Sequence, residues 1–267
     1  MLKFTANLSL LFTEVELVDR FAAASRQGFD AVEIQFPYVL DARILKNALA
    51  AAGQRLVLFN VDADDLLQGG EGLACVPEKK AQFRQAVAQT LAYAEVLKPA
   101  AINVLPGRCL TQSRLPEYVE TFKENLCFAA DAFAPLGIKT VFEAINTHDM
   151  PGFIIHSGAQ MLAVLDELNR PDLFMQYDIY HMQMMNEDPA GFIAAHAGKI
   201  GHIQFADCPG RAQPGTGHID FQQVFSTIET SGYTGWVGAE YKPLGMTLDS
   251  LDWFRELGLE DHADKTT

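Results

Sequence analysis

The sequence predicts a (β/α)8 barrel in a single domain. Three observations carry that expectation. The chain has 267 residues, close to the ~250 typical of such barrels. Short apolar runs alternate with amphipathic helical patterns along its whole length. The first run is followed by Asn7-Leu8-Ser9-Leu10, not by the glycine-rich phosphate turn of the rival architecture, an open doubly wound sheet.

Strands are expected at 3–7, 31–34, 55–59, 101–104, 139–142, 174–177, 200–203 and 236–238. They are short and mostly apolar, as strands covered on both faces should be. The first helix is expected over 14–27, with Leu17, Phe21 and Ala24 on one face and Gly28 as its stop. A second covers 78–97 and aligns Phe83, Val87, Leu91 and Ala94. Pro116 suits a first helical turn, and Val119, Phe122, Leu126, Ala129 and Phe133 form the buried stripe that follows, before Gly137. Ser157 is placed to cap Gly158–Leu168, Asp220 to cap a helix running to Thr230, and 248–257 closes the chain. Strands separated by helices run parallel with right-handed crossovers, so these units close into a barrel over 1–259, followed by a polar tail over 260–267. The segment Gly28-Phe29-Asp30-Ala31-Val32-Glu33 is echoed around Gly232-Tyr233 to Glu240, a weak sign of repeated construction.

Composition limits the function classes. With 49% hydrophobic and 20% charged residues, the chain resembles an ordinary soluble domain with one core. A net charge of −14 argues against a protein that grips phosphate backbones, so no nucleic-acid partner is expected. A small anionic substrate stays open, because local charge in a cleft can oppose the global sign. Residues 1–12 carry one lysine and a short apolar patch, followed by Glu14 and Glu16, which matches neither a secretory signal nor a membrane span. Cys75, Cys109, Cys127 and Cys208 show no C-x-x-C spacing and read as reduced thiols of a cytoplasmic protein.

The chemistry is expected at the C-terminal ends of the strands, which converge on one mouth. The last four strands end in Glu143, Asp178, Gln204 and Glu240, at separations of 35, 26 and 36 residues (178 − 143, 204 − 178, 240 − 204). Each interval is about one strand–helix unit. Three carboxylates brought together repel unless a cation sits among them. Oxygen-only ligation favours Mg²⁺ or Mn²⁺ over Zn²⁺, so one divalent metal ion is expected.

Several motifs resemble the hydroxypyruvate isomerase family of xylose-isomerase-like barrels. They are the opening Phe4-Thr5-Ala6-Asn7-Leu8-Ser9, Gly28 to Glu33 with Phe36-Pro37-Tyr38, His202-Ile203-Gln204, and Gly235-Trp236 through Glu240-Tyr241-Lys242-Pro243. The likeness spans about residues 3–257. It implies Glu143, Asp178, Gln204 and Glu240 as metal ligands, with Glu143 and Glu240 as the catalytic acid/base pair. Gln204, where many relatives in the wider superfamily have His, points to the hydroxypyruvate-type branch. The resemblance implies interconversion of hydroxypyruvate and tartronate semialdehyde through an enediolate; 2-oxo-tetronate isomerisation and ketose or sugar epimerisation are the alternatives. It also makes a homo-oligomer plausible.

Supporting roles follow for nearby residues. His181, in a D-x-x-H run with Asp178, is similar to the superfamily's substrate-binding histidine, although local packing explains it equally well. Arg211 is suited to pairing with a carboxylate, and Lys242 to steering an anionic substrate. Glu33 ends the second strand and is a candidate hydrogen-bond partner for a substrate hydroxyl. Asn7 ends the first strand and Asn60 the third, where a turn-forming role is the usual explanation. Phe12, Phe36, Tyr38 and Phe59 are candidate pocket walls. The glycine-rich segment 209–217 lacks G-K-[ST] and reads as a flexible loop over the mouth, with the makings of a lid.

Overall fold

The computed structural model describes residues 1–257. Eight parallel strands close into a barrel in sequence order: β1 (Phe4–Asn7), β2 (Ala31–Glu33), β3 (Arg55–Asn60), β4 (Ala101–Asn103), β5 (Lys139–Glu143), β6 (Leu173–Asp178), β7 (Ile200–Phe205) and β8 (Val237–Ala239). All eight lie where the apolar runs predict them, within two residues at either end. Around them stand α1 (Leu17–Ser25), α2 (Ala42–Ala52), α3 (Lys80–Leu97), α4 (Leu115–Phe133), α5 (Gly158–Leu168), α6 (Ile179–Met184), α7 (Pro189–His196), α8 (Phe221–Thr230) and α9 (Asp252–Glu256). The expected tail over 260–267, and the boundary at 259, lie outside the described residues.

Capping chemistry explains most helix starts. Asp41, Ser157, Asp188 and Asp220 each accept a backbone N–H in the first turn of α2, α5, α7 and α8. Helix α2 and the pair α6–α7 fall where the apolar pattern alone assigns no helix. Helix α1 begins three residues later than expected, because Glu14 is drawn away from it: its carboxylate accepts the Thr247 backbone N–H at 2.5 Å in the loop after β8. The closing pattern at 248–257 is split into a 3-10 turn, Thr247–Ser250, and the short α9.

Strand register sets the level of the functional side chains. Asn7 lies beside Glu33, Asn60 beside Asn103, Glu143 beside Gln176, and Asp178 beside Gln204. Neighbouring strands therefore present polar side chains at one height near the barrel mouth. Elsewhere the packing is apolar. Phe4 of β1 and Phe205 of β7 meet Phe225 of α8 and Trp253 of α9 edge-to-face, with ring centroids 5.0–5.3 Å apart between strand and helix.

Candidate active site

An open ring of hydrogen bonds runs around the barrel interior, from Asn60 on β3 round to Glu33 on β2. Asn103 Nδ2 donates to Asn60 Oδ1 at 3.2 Å and to Glu143 Oε2 at 2.7 Å. Gln176 Nε2 donates to Glu143 Oε2 at 2.5 Å and to Gln204 Oε1 at 2.6 Å. Gln204 Nε2 donates to Glu33 Oε1 at 2.8 Å and, more weakly at 3.4 Å, to Glu240 Oε1. Asn7 Nδ2 bridges the two carboxylates that Gln204 also reaches, donating to Glu33 Oε1 at 3.2 Å and Glu240 Oε1 at 2.9 Å. Every strand contributes a member, with Glu240 standing one residue beyond β8.

The ring leaves selected oxygens turned toward the mouth. Asp178 caps α6 through Oδ1, which accepts from Tyr180 N at 2.8 Å and His181 N at 3.3 Å. Its other oxygen, Oδ2, is buried without a hydrogen-bond partner. Glu143 likewise commits Oε2 to the ring, while Oε1 faces His181 Nε2 at 3.9 Å. One ligand atom each of Glu143, Asp178 and His181 lies within 4.8 Å of the other two. Glu240 commits Oε1 to Asn7 and Gln35, and its Oε2 accepts from Arg211 Nη2 at 2.5 Å.

Electrostatics reinforce this picture. Burial raises the Glu143 carboxyl well above the usual carboxylate range, and the charges of Glu240 and Asp178 push it further. Burial pushes Asp178 up to about 7 against the opposing pull of Arg211, and burial also raises Glu240 despite its pairing with Arg211. Three buried carboxylates that resist ionisation are the expected signature of a site completed by a cation. The chemistry of the donors, carboxylate oxygens and the Gln204 carboxamide, suits a hard divalent ion. The ligand atoms that lie closest together belong to Glu143, Asp178 and His181, with the Asp178 oxygen Oδ2 left without a hydrogen-bond partner.

The cavity above these groups is small. Glu143, His181, Arg211 and Glu240 form its polar floor, Asn60 and Asp149 its polar sides, and Phe36, Leu67, Leu105, Ile145 and Met150 its apolar wall. A larger groove elsewhere, between α8 and the chain start, holds none of these groups.

The remaining expected residues are placed as follows. Glu33 is fully buried beneath the cavity, with its oxygens held by Thr5, Asn7, His202 and Gln204. A Cβ on neighbouring Gly238 would come within 2.6 Å of that carboxylate, so β8 has glycine there. This packing gives Glu33 a supporting position in place of an exposed one facing a substrate hydroxyl. Asn7 belongs to the ring, and its Oδ1 also accepts Ser9 N at 3.0 Å. Lys242 is exposed; its backbone N–H donates to Arg211 O at 2.8 Å. Phe36 lines the cavity, whereas Phe12 and Phe59 are in the core. The Tyr38 hydroxyl donates to Asn60 O at 2.7 Å, behind the wall.

The loop over 209–217 is strapped down, contrary to its glycine-rich, lid-like sequence. Buried Asp207 accepts the backbone N–H groups of Gly215, Thr216 and Gly217 on Oδ2 and those of Cys208 and Ile219 on Oδ1, at 2.8–3.2 Å. That strap carries Arg211, in the left-handed region at φ 55°, to a place over the Tyr180 ring, 5.4 Å from its centroid. Asp207, Gln35, Asn103, Gln176, Asn146 and Asp149 were not singled out in the sequence. For Gln176 a signal existed: a polar residue two before Asp178 on an apolar strand points to the same face.

Buried carboxylates at the ends of β5, β6 and β8 of a closed parallel barrel, beside a small cavity at its mouth, define an enzyme-type site of the (β/α)8 class. The chain belongs to the xylose isomerase-like TIM barrel family, which it matches over residues 21–257. It is 41% identical over 253 residues to the hydroxypyruvate isomerase of Escherichia coli K12, covering 95% of this chain and 98% of that one. It is also 38% identical over 255 residues to a 2-oxo-tetronate isomerase of Cupriavidus necator, covering 96% and 98%. A crystal structure of a Brucella melitensis protein described as a family 2 AP endonuclease superposes with a TM-score of 0.92 at 37% identity, covering 96% of this chain and 99% of that one. The resemblance drawn from the sequence motifs is thereby borne out.

Proposed function

We propose that the chain is a divalent-metal-dependent isomerase that interconverts hydroxypyruvate and tartronate semialdehyde. The observation that carries this reading is a small cavity lined by Glu143, Glu240, His181 and Arg211, with the free oxygen of Asp178 within 4.8 Å of ligand atoms of Glu143 and His181. The relatives named for hydroxypyruvate and 2-oxo-tetronate isomerisation support it.

Exchanging a carbonyl with the neighbouring hydroxyl requires a proton to leave carbon, and negative charge then spreads over both oxygens. Glu143, Asp178, Gln204 and Glu240 would hold a Mg²⁺ or Mn²⁺ ion, which would supply Lewis-acid stabilisation of that charge. Arg211 Nε is buried without a partner while Nη2 holds Glu240, so the guanidinium has a donor to spare for the substrate carboxylate. Glu143 and Glu240 flank the cavity and share the proton transfers. Arg211 favours the ionised form of Glu240, whereas burial beside two other carboxylates makes Glu143 the readier proton carrier. His181 stands beside both Glu143 and Asp178 and binds a substrate oxygen.

A net charge of −14 and a carboxylate-rich mouth oppose a phosphate-backbone substrate, so the small acid is preferred to a nucleic acid. The four cysteines are unpaired thiols, which suits a reducing, cytoplasmic setting. Among the described residues no helix is long and apolar enough to cross a membrane.

The test is proton NMR of chelator-stripped protein with hydroxypyruvate in D2O, before and after adding Mg²⁺ or Mn²⁺. Metal-dependent formation of tartronate semialdehyde with deuterium at carbon is expected. Metal-independent turnover would contradict the proposed cation. No reaction with hydroxypyruvate, but turnover of 2-oxo-tetronate, would move the substrate to the four-carbon acid.

A further inference from the structure

We infer that Asn146 is a positioning residue that locks His181 as its Nε2–H tautomer, making it a hydrogen-bond donor into the cavity and not a metal ligand. The inference rests on the isomerase reading only for its kinetic consequence.

His181 has two available roles. Its proximity to Glu143 and Asp178 would suit a third metal ligand, which needs a lone pair on Nε2. A donor needs a proton there. The choice is made on the other side of the ring, where Asn146 Nδ2 meets His181 Nδ1 at 2.7 Å. The direction of that bond depends on how the Asn146 amide is turned, and its surroundings decide this.

All the hydrogen-bonding capacity of the Asn146 side chain is accounted for in one orientation. Oδ1 accepts two backbone N–H groups, His148 N at 3.1 Å and Asp149 N at 2.8 Å. Nδ2 has two hydrogens: one goes to Asp149 Oδ2 at 3.0 Å and the other is aimed at His181 Nδ1. Turning the amide over would set its NH2 against two backbone donors and its oxygen against the Asp149 carboxylate. Asp149 is itself held in place by the Tyr180 hydroxyl, which donates to Oδ2 at 2.7 Å. Asn146 is fully buried and His181 nearly so, so water is poorly placed to rescue the wrong orientation.

Nδ1 of His181 is therefore the acceptor, and the proton of the neutral ring sits on Nε2. That N–H looks into the gap between Asp178 Oδ2 at 3.6 Å and Glu143 Oε1 at 3.9 Å. Both distances are long for direct bonds, so the donor is left for an oxygen of the substrate. An imidazole committed in this way cannot also offer Nε2 to a cation. His181 is accordingly outside the proposed set of metal donors.

The experiment is long-range ¹⁵N–¹H correlation on ¹⁵N-histidine-labelled protein, with His181 assigned through a His181→Gln variant. Spectra are taken metal-free and with Mg²⁺. The expected pattern is a neutral Nε2–H ring in both, with Mn²⁺ affinity by calorimetry unchanged in His181→Gln. In Asn146→Asp, whose carboxylate accepts from Nδ1–H, the ring should switch to the Nδ1–H tautomer and kcat should fall about 10–100-fold. Asn146→Ala, which adds no charge beside Asp149, should lose the single tautomer and also lower kcat. A wild-type Nδ1–H ring, a His181→Gln variant that no longer binds Mn²⁺, or an Asn146→Asp variant with unchanged tautomer and turnover would overturn the inference. The wild-type spectra need no substituted Asn146, so a poorly folding variant leaves the test intact. Absence of any isomerase turnover would sink the proposed activity while the tautomer was still read from the spectra.

Discussion

The two halves of the barrel mouth are built from different chemistry. Strands β1, β3 and β4 end in amides, Asn7, Asn60 and Asn103, and β2 ends in Glu33, whose carboxylate is saturated by protein donors. The β5, β6 and β8 ends carry Glu143, Asp178 and Glu240. From the first half Asn103 donates to Glu143 and Asn7 to Glu240, while Gln204 of β7 donates back to Glu33. The division of labour is asymmetric at the level of single atoms. Asn103 and Gln176 occupy Glu143 Oε2 and leave Oε1 toward the cavity, and the first turn of α6 occupies Asp178 Oδ1 and leaves Oδ2 unpartnered. In Glu143 and Asp178 one oxygen fixes the side chain and the other makes no hydrogen bond, whereas both oxygens of Glu240 are taken, by Asn7 and Gln35 on one side and Arg211 on the other. The amide half is thus a scaffold for the acidic half.

If that is correct, breaking the acidic half should cost far more activity than breaking its scaffold. Glu143→Gln and Glu240→Gln should fold and lose about 10²–10⁴-fold in kcat; near-normal turnover in either would remove that residue from the acid/base pair. Arg211→Ala should raise KM for hydroxypyruvate about tenfold or more, from loss of a charge-assisted hydrogen bond. A smaller fall in kcat should accompany it, because Glu240 Oε2 loses its partner. Steady-state kinetics separates the two effects, and an unchanged KM would exclude Arg211 from carboxylate binding. Asn103→Ala, on the scaffold side, should destabilise by about 1–3 kcal/mol by leaving buried Glu143 Oε2 short of a donor. Chemical denaturation would measure that loss, which should exceed any effect on substrate affinity.

The smallest expected effect is one of pH. Asp178 is raised to about 7 in the folded protein, chiefly by burial, against a reference of 3.8. Above 3.8 the unfolded chain gives up that proton while the native state keeps it, so native stability falls as pH rises toward 7. Metal-free protein should therefore melt at a lower temperature at pH 8 than at pH 5, and Asp178→Asn should weaken the trend. Mg²⁺ at about a hundredfold above its Kd should raise Tm by about 5 °C or more. A Tm that ignores both metal and the Asp178 substitution would contradict the picture of three carboxylates awaiting a cation.

Strand positions and strand-end residues were legible in the sequence because both follow from local pattern. A short apolar run marks a buried strand, and the residue that breaks it marks the mouth. The same reading picks out Glu143 and Asp178, whose ligand atoms the structure brings within 4.8 Å of each other, together with His181. What was not legible depends on contacts far apart in sequence. Glu33 looks like any strand-end carboxylate until Thr5, Asn7, His202 and Gln204 close around it. The segment 209–217 has the composition of a mobile lid, yet one aspartate outside it, Asp207, takes up five of its neighbourhood's backbone N–H groups. Asn146 and Asp149 sit in a βα loop whose shape no periodicity encodes.

Four oxygen donors from β5 to β8 are proposed to hold one divalent ion on which isomerisation depends. The most direct test is calorimetric titration of Mn²⁺ into chelator-stripped wild-type and Asp178→Asn protein, with hydroxypyruvate turnover followed on the same samples. The expected result is one ion per wild-type chain, with binding and turnover lost together in the variant. Full turnover in the metal-free protein, or unaltered one-ion binding in Asp178→Asn, would contradict it.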